Sequence, residues 1–295
     1  MLNNLNKAIG YVEQQISVAK EYYGEFRLYN IGSYAINHFV SRKGFSKQID
    51  ISYGMHERHQ LDLFRTEKPK PKRPLLIFVH GGAWSSGDKK DYHFFGQSFA
   101  TEGYDVAIVN YRLSPEHIFP NYVDDFILAL DYLNKNQNEL KINTENMLLV
   151  GHSAGAFNIM SAVYYPDDQM AVYSKNIKAI VGLAGPYHFD YKNDPLCADA
   201  FDQELSYQRV MPYYFVKSNK IKHYLFMAEN DQIVADWNAV DLNRKLTEYN
   251  NHSEVIVIPK TGHITIMGSV SSLFSQFFRT KAEILRVLDE ALNEV

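Results

Sequence analysis

Six short, unbroken apolar runs punctuate the chain from its first quarter onward: Leu75–Val79, Val106–Val109, Met147–Val150, Ile180–Leu183, Tyr224–Met227 and Val255–Ile258. Runs of this length without polar alternation predict strands buried on both faces. The segments between and after them include Asn121–Leu133, Ala235–Tyr249 and Thr265–Leu292, whose spacing predicts helices. In the last segment Ile284, Leu285, Val287, Leu288 and Leu292 supply the apolar stripe. Strand–helix alternation predicts an α/β fold with a mostly parallel sheet covered on both faces.

Upstream of these runs the period changes to two. Gln48-Ile49-Asp50-Ile51-Ser52-Tyr53 and His59-Gln60-Leu61-Asp62-Leu63-Phe64 both alternate, with Gly54–Arg58 between them. This predicts a β-hairpin at the sheet edge. Three prolines within Glu67–Pro74 forbid regular structure there and predict a solvated loop. Leu2, Leu5, Ile9, Val12, Ile16 and Ala19 recur at helical steps, so the first ~25 residues read as an amphipathic helix. Residues 1–45 are expected to form an N-terminal helical segment suited to capping a main domain over 46–295. Gly185–Asn219 is irregular and holds Asp190, Tyr191, Phe201, Tyr207, Met211, Tyr213, Tyr214 and Phe215. An insertion of that length in a tight α/β chain is usually functional, and a lid over about 186–219 is expected.

Composition narrows the class. The chain has 295 residues, a net charge of −4 and one cysteine. A slightly acidic chain has no bulk electrostatic reason to bind nucleic acid. One cysteine can build neither an internal disulfide nor a Cys-rich zinc site. No apolar run reaches the ~20 residues of a membrane helix. The start, Met1–Lys7, lacks the apolar core of a secretory signal. The expectation is a soluble, cytoplasmic protein without membrane or nucleic-acid partners; the oligomeric state is left open.

The strongest chemical signal is Asn146–Ala156, where an apolar strand runs directly into Gly151-His152-Ser153-Ala154-Gly155 and a helix-compatible stretch. Strand, Gly-x-Ser-x-Gly turn and helix together make a nucleophile elbow with Ser153 at its apex. A second strand ends in His80-Gly81-Gly82-Ala83-Trp84. Such a turn supplies backbone N–H donors for an oxyanion, and Gly82, Ala83 and Ala154 are the expected donors. A serine hydroxyl needs a base held by an acid, in the chain order Ser, acid, His. Two loops after strands fit: His263 is taken as base and Asp231 as its orienter, with Glu229 as the rival acid. His80 is expected to brace the oxyanion loop. His56 and His59, in His-Glu-Arg-His, lack the i, i+4 zinc spacing, so no metal is assigned. Cys197 lies in the insertion, away in sequence from every catalytic motif.

These residues resemble the α/β-hydrolase superfamily. Within it they are similar to the hormone-sensitive-lipase-like carboxylesterases and the arylformamidase (kynurenine formamidase)-like branch. The matching pieces run in order over about residues 47–290: His80–Trp84, Gly87-Asp88-Lys89, Asn110–Pro115, Phe119-Pro120, Asp124-Asp125, Gly151–Gly155, Asp231 with Val234, and Gly262-His263. The resemblance implies an eight-stranded, mostly parallel α/β-hydrolase sheet with a small cap or lid. It also implies a cofactor-free serine esterase acting on a small-molecule ester or amide. Trp84, His152 and Tyr187 are expected to contact substrate. The lipase-like esterases often carry a third Gly at Ala83 and Asp at His152. Trp84 and His152 therefore lean toward the arylformamidase-like branch, whose substrates are N-formyl aryl amides such as N-formylkynurenine; small carboxylic esters are the first choice. Arg112 is expected to form a structural ion pair with Asp124 or Asp125.

Two other classes compete. Ser17-Val18-Ala19-Lys20 and Lys260-Thr261-Gly262 match the Ser-x-x-Lys and Lys-Thr-Gly elements of serine β-lactamases, but no Ser-Asp-Asn element lies between them. A non-catalytic ligand-binding α/β-hydrolase fold usually lacks a triad member or the oxyanion loop, and here all four components are present. The aromatic content, with 21 Tyr, concentrates in Tyr22–Tyr34 and Tyr187–Phe215. Those segments are expected to roof the site and supply part of the pocket wall.

Overall fold

Eight strands in the order β1-β2-β4-β3-β5-β6-β7-β8 form one sheet. They are β1 (Phe45–Ser52), β2 (Gln60–Thr66), β3 (Leu75–Val79), β4 (Asp105–Val109), β5 (Met147–His152), β6 (Ile177–Leu183), β7 (Lys222–Ala228) and β8 (Ser253–Ile258). The helices are α1 (His93–Ala100), α2 (Asn121–Lys135), α3 (Gln137–Leu140), α4 (Ala154–Tyr164), α5 (Trp237–Glu248), α6 (Thr265–Gly268) and α7 (Thr280–Asn293). This computed structural model describes residues 43–165, 169–192 and 194–293. The helix expected over the first ~25 residues lies outside the described residues.

Six strands from β3 onward run parallel, and the β1–β2 hairpin joins them antiparallel through β4. The unbroken apolar runs explain the arrangement: every residue of β3 and β4 is buried, so both faces must be covered. Two cores result. One joins Leu75, Ile77 and Val79 of β3 to α2, α4 and α5. The other joins Leu76 and Phe78 of the same strand to α1 and α7. Burying each such side chain contributes about 1.5–3 kcal/mol.

Two elements depart from the sequence pattern. The alternation of β1 breaks at a bulge between Gln48 and Ile51, where Asp50 has φ 56°. Asp50 N–H donates to Asp62 Oδ1 at 2.8 Å, and the extra residue leaves Ile49 facing solvent. The helix expected over Thr265–Leu292 is instead α6 and α7, separated by turns. Serines explain the interruption, because their hydroxyls compete for backbone partners. Ser269 donates to the Ile266 carbonyl at 2.7 Å and pairs with the Thr280 hydroxyl at 2.6 Å. The Glu67–Pro74 loop is irregular as expected, and two of its basic residues are engaged: Arg73 with Asp105 and Lys70 with Asp289, both at 2.6 Å. Among the described residues no helix is long and apolar enough to cross a membrane.

Parallel strands deliver their following loops to one edge of the sheet. The loops after β3, β5, β7 and β8 carry His80–Trp84, Ser153, Asp231 and His263. This carboxyl edge is where open α/β sheets place ligands.

Candidate active site

The elbow forms because strand and helix meet with almost no room. A Cβ on Gly155 would stand 2.1 Å from the Val79 carbonyl oxygen, and one on Gly151 2.5 Å from Ala156 N. Only hydrogen fits at either position. Ser153 between them has φ 52° and ψ −121°, a conformation costing about 1–3 kcal/mol outside such a turn. Its N–H donates to the Leu183 carbonyl at 2.9 Å, which fixes the apex against β6.

His263 Nε2 lies 2.9 Å from Ser153 Oγ, and His263 Nδ1 lies 2.9 Å from Asp231 Oδ2. A carboxylate accepts only, so Nδ1 carries the proton and Nε2 is left to accept from the serine hydroxyl. Asp231 Oδ1 accepts from the N–H groups of Ile233 and Val234, each at 2.9 Å. Burial alone would raise the Asp231 carboxyl. The charge and hydrogen bond of His263 and those two N–H groups outweigh it and hold the carboxyl below the usual carboxylate range. The two loops are also stitched to each other, since Asn230 N–H donates to the Thr261 carbonyl at 2.8 Å. Glu229 is exposed and accepts from Lys260 N–H at 2.8 Å. It braces the turn that carries His263 and does not meet the imidazole.

The turn after β3 is strained in the same sense as the elbow, with φ 129° at Gly82, 48° at Ala83 and 60° at Trp84. Its Gly82 carbonyl accepts from Ser85 and Ser86 N–H, closing the turn. Ala154 is the first residue of α4, so its N–H has no partner inside the helix. His80 is fully buried, stacks on Tyr111 at 4.5 Å and donates from Nδ1 to the Gly81 carbonyl at 2.7 Å. Burial pushes its pKa down to about 4 and keeps it neutral. Arg58, from the hairpin turn, donates to the Tyr111 and Gly87 carbonyls at 2.7 and 2.9 Å. Arg112 pairs with Asp125 at 2.7 Å, and His59 meets the same carboxylate at 2.9 Å.

A cavity of about 580 Å³ opens over Ser153. Ala83, Trp84, Phe189, Leu196, Ile233 and Trp237 are among its lining residues. The volume suits a small organic molecule.

The BD-FAE family model matches residues 61–246, more than half of the chain and a stretch that holds Ser153 and Asp231. The chain belongs to the BD-FAE family. Among its relatives is a probable isoprenylcysteine alpha-carbonyl methylesterase of Oryza sativa, 29% identical over 50% of this chain and 37% of the relative. The kynurenine formamidase of Drosophila melanogaster is 29% identical over 46% of this chain and 45% of the relative. The chain thus spans under half the length of either. Esterase B from Lactobacillus rhamnosis superposes with a TM-score of 0.74 at 16% identity, covering 95% of both chains. That likeness shows the α/β-hydrolase fold.

In this BD-FAE chain the three residues expected to contact substrate separate. Trp84 lines the cavity, although its indole is largely packed on Phe157 and Phe201 and donates to Asn158 Oδ1 at 2.9 Å. Tyr187 does not line it. Gly182 and Gly185 leave a slot that the fully buried Tyr187 ring fills; a Cβ on Gly182 would stand 1.8 Å from its hydroxyl. His152 also lies outside the lining, buried behind the elbow. Conversely, Cys197, distant in sequence from the motifs, forms part of the cavity wall. Among the described residues the cavity's aromatic lining is Trp84, Phe189 and Trp237, with no tyrosine. Tyr191 of the insertion packs internally instead, stacking on Phe201 at 4.5 Å and donating to the Leu205 carbonyl at 2.9 Å, whereas Tyr214 is exposed. Tyr22–Tyr34 lies outside the described residues. Asn238 and Gln232 are lining residues without any motif; their signal was only their nearness to Asp231 in sequence.

Proposed function

We propose that this chain is a serine hydrolase that cleaves small carboxylic esters through an acyl-enzyme intermediate. The observation that supports it is the unbroken Ser153–His263–Asp231 hydrogen-bond relay, whose two ends, Ser153 and Asp231, line the cavity. Ser153 Oγ attacks the ester carbonyl carbon while His263 Nε2 takes its proton. Gly82, Ala83 and Ala154 N–H groups receive the negative oxygen of the tetrahedral intermediate, where one donor is worth about 3 kcal/mol. Collapse breaks the C–O bond, and His263 returns the proton to the leaving alcohol. Water then attacks the acyl carbon with His263 again as base; the bond to Ser153 Oγ breaks, the carboxylic acid leaves, and His263 returns the proton to Oγ. This scheme needs no cofactor or metal. We read 186–219 as the substrate-side cap of the site, and the free, buried thiol of Cys197 fits a reducing compartment such as the cytoplasm.

A second reading has its own support. The formamidase relative and the aromatic lining residues Trp84, Phe189 and Trp237 favour an N-formyl aryl amide. Turnover of p-nitrophenyl acetate, butyrate and longer esters, compared with N-formylkynurenine, separates the two. The expected result is the highest kcat/KM on short esters. A strong preference for the formyl amide makes the second reading the correct one, and no turnover of either class refutes the proposal.

The pH profile follows from the relay. Only neutral imidazole accepts the serine proton, so kcat/KM should fall on acidification, which rates measured from about pH 8 down to about pH 5 test. Asp231, held below the usual carboxylate range, remains charged across that window. A flat profile there contradicts His263 as base.

A further inference from the structure

His152 directly precedes the nucleophile, yet its ring turns away from the cavity and is 3% exposed. Nε2 meets the backbone carbonyl of His263 at 2.9 Å, and the two imidazole centroids lie 5.1 Å apart. A carbonyl only accepts, so Nε2 carries the proton. The other nitrogen, Nδ1, faces the turn after β3: a Cβ on Gly81 would stand 2.9 Å from it. One imidazole thus touches the oxyanion turn and the backbone of the base, from a position next to Ser153.

We propose that His152 is a positioning residue that clamps the His263 backbone in line with Ser153, and that the bare Cα of Gly81 makes room for it. The inference rests on the serine-hydrolase reading. The clamp matters because His263 follows Gly262 on a loop between β8 and α6, and a misplacement of about 1 Å at a reacting group can cost roughly 100-fold in rate. His152 takes no part in proton transfer. Burial, and then the neighbouring His263, push its pKa down to about 3, so it stays neutral across the working range.

The side-chain geometry supplies the test. Gln carries an N–H at the ε position, where His152 has Nε2. Asn carries its N–H one bond short, and Leu has none. Steady-state kinetics on p-nitrophenyl butyrate are measured for the wild type, His152→Gln, His152→Asn, His152→Leu and Ser153→Ala, with thermal unfolding followed by circular dichroism. The expected result is a kcat lowered about 10- to 100-fold in His152→Asn and His152→Leu, with KM within about twofold. His152→Gln should return kcat to within about threefold of wild type. The acid limb of its pH profile should stay in place, because that limb belongs to His263. A merely structural residue would move stability without this split between kcat and KM and without rescue by Gln. If His152→Leu does not fold, the Asn and Gln pair decides. Equal kcat in Asn and Gln variants, or wild-type kcat in all three, overturns the inference while leaving a Ser153-dependent activity intact. Activity that survives Ser153→Ala overturns the serine-hydrolase reading itself.

Discussion

Ser153→Ala should lower kcat on a p-nitrophenyl ester by about five to six orders of magnitude, the loss expected when a triad nucleophile is removed. The geometry gives no substitute. Ser153 occupies the strained apex between Gly151 and Gly155, and its Oγ is the atom 2.9 Å from His263 Nε2. Removing one oxygen leaves the backbone donors of Gly82, Ala83 and Ala154 in place, so residual catalysis of about 10³–10⁴ over water should persist. KM should change little, since the cavity walls from Trp84 to Trp237 are untouched. The fold should hold, because Ala is smaller and keeps the N–H bond to Leu183. Ser17→Ala is the matching control. It should leave kcat unchanged, whereas the Ser-x-x-Lys alternative requires it to abolish activity.

Asp231→Asn should cost about 10⁴ in kcat with the fold retained, as for a triad whose acid is made neutral. The direction follows from two N–H groups. Ile233 and Val234 both donate to Asp231 Oδ1, so an amide at 231 must keep its oxygen there and turn its NH2 toward His263. The imidazole Nδ1 must then accept, which places the proton on Nε2 and leaves no lone pair for the serine hydroxyl. Steady-state kinetics and thermal unfolding of this variant check both parts. A kcat within tenfold of wild type would remove Asp231 from the relay. Glu229→Gln should have a small effect, because Glu229 is exposed and bound to Lys260 N–H.

The parts of this molecule that could be read from sequence are those governed by local rules. The apolar runs of β3 to β7 announced buried parallel strands, because a strand covered on both faces has little room for unpaired polar side chains; the Val255–Ile258 run instead became β8 at the sheet edge, where Val257 is exposed. Ser153, Asp231 and His263 each follow such a run, so their arrival at one edge of the sheet follows from parallel order. What escaped prediction depends on packing between distant segments. Cys197 reaches the cavity through an insertion with no periodicity, and nothing local says which of its residues face inward. Tyr187 is aromatic and near the site, yet two glycines that cannot be matched to it from sequence create the slot that buries it. The Thr265–Leu292 stripe is real in Ile284, Val287 and Leu288, but serine hydroxyls divide the segment before it. Arg58 lies in a histidine-bearing turn without zinc spacing, and nothing local announces that it holds the carbonyls of Tyr111 and Gly87.

The most direct test of the central claim is the site of covalent modification by a fluorophosphonate, mapped by mass spectrometry on the intact folded chain. Attack by an activated serine predicts one adduct, on the peptide containing Ser153, lost in Ser153→Ala and slowed strongly in His263→Ala. A folded chain that hydrolyses esters but takes no adduct at Ser153, or takes it at another residue, would contradict the account.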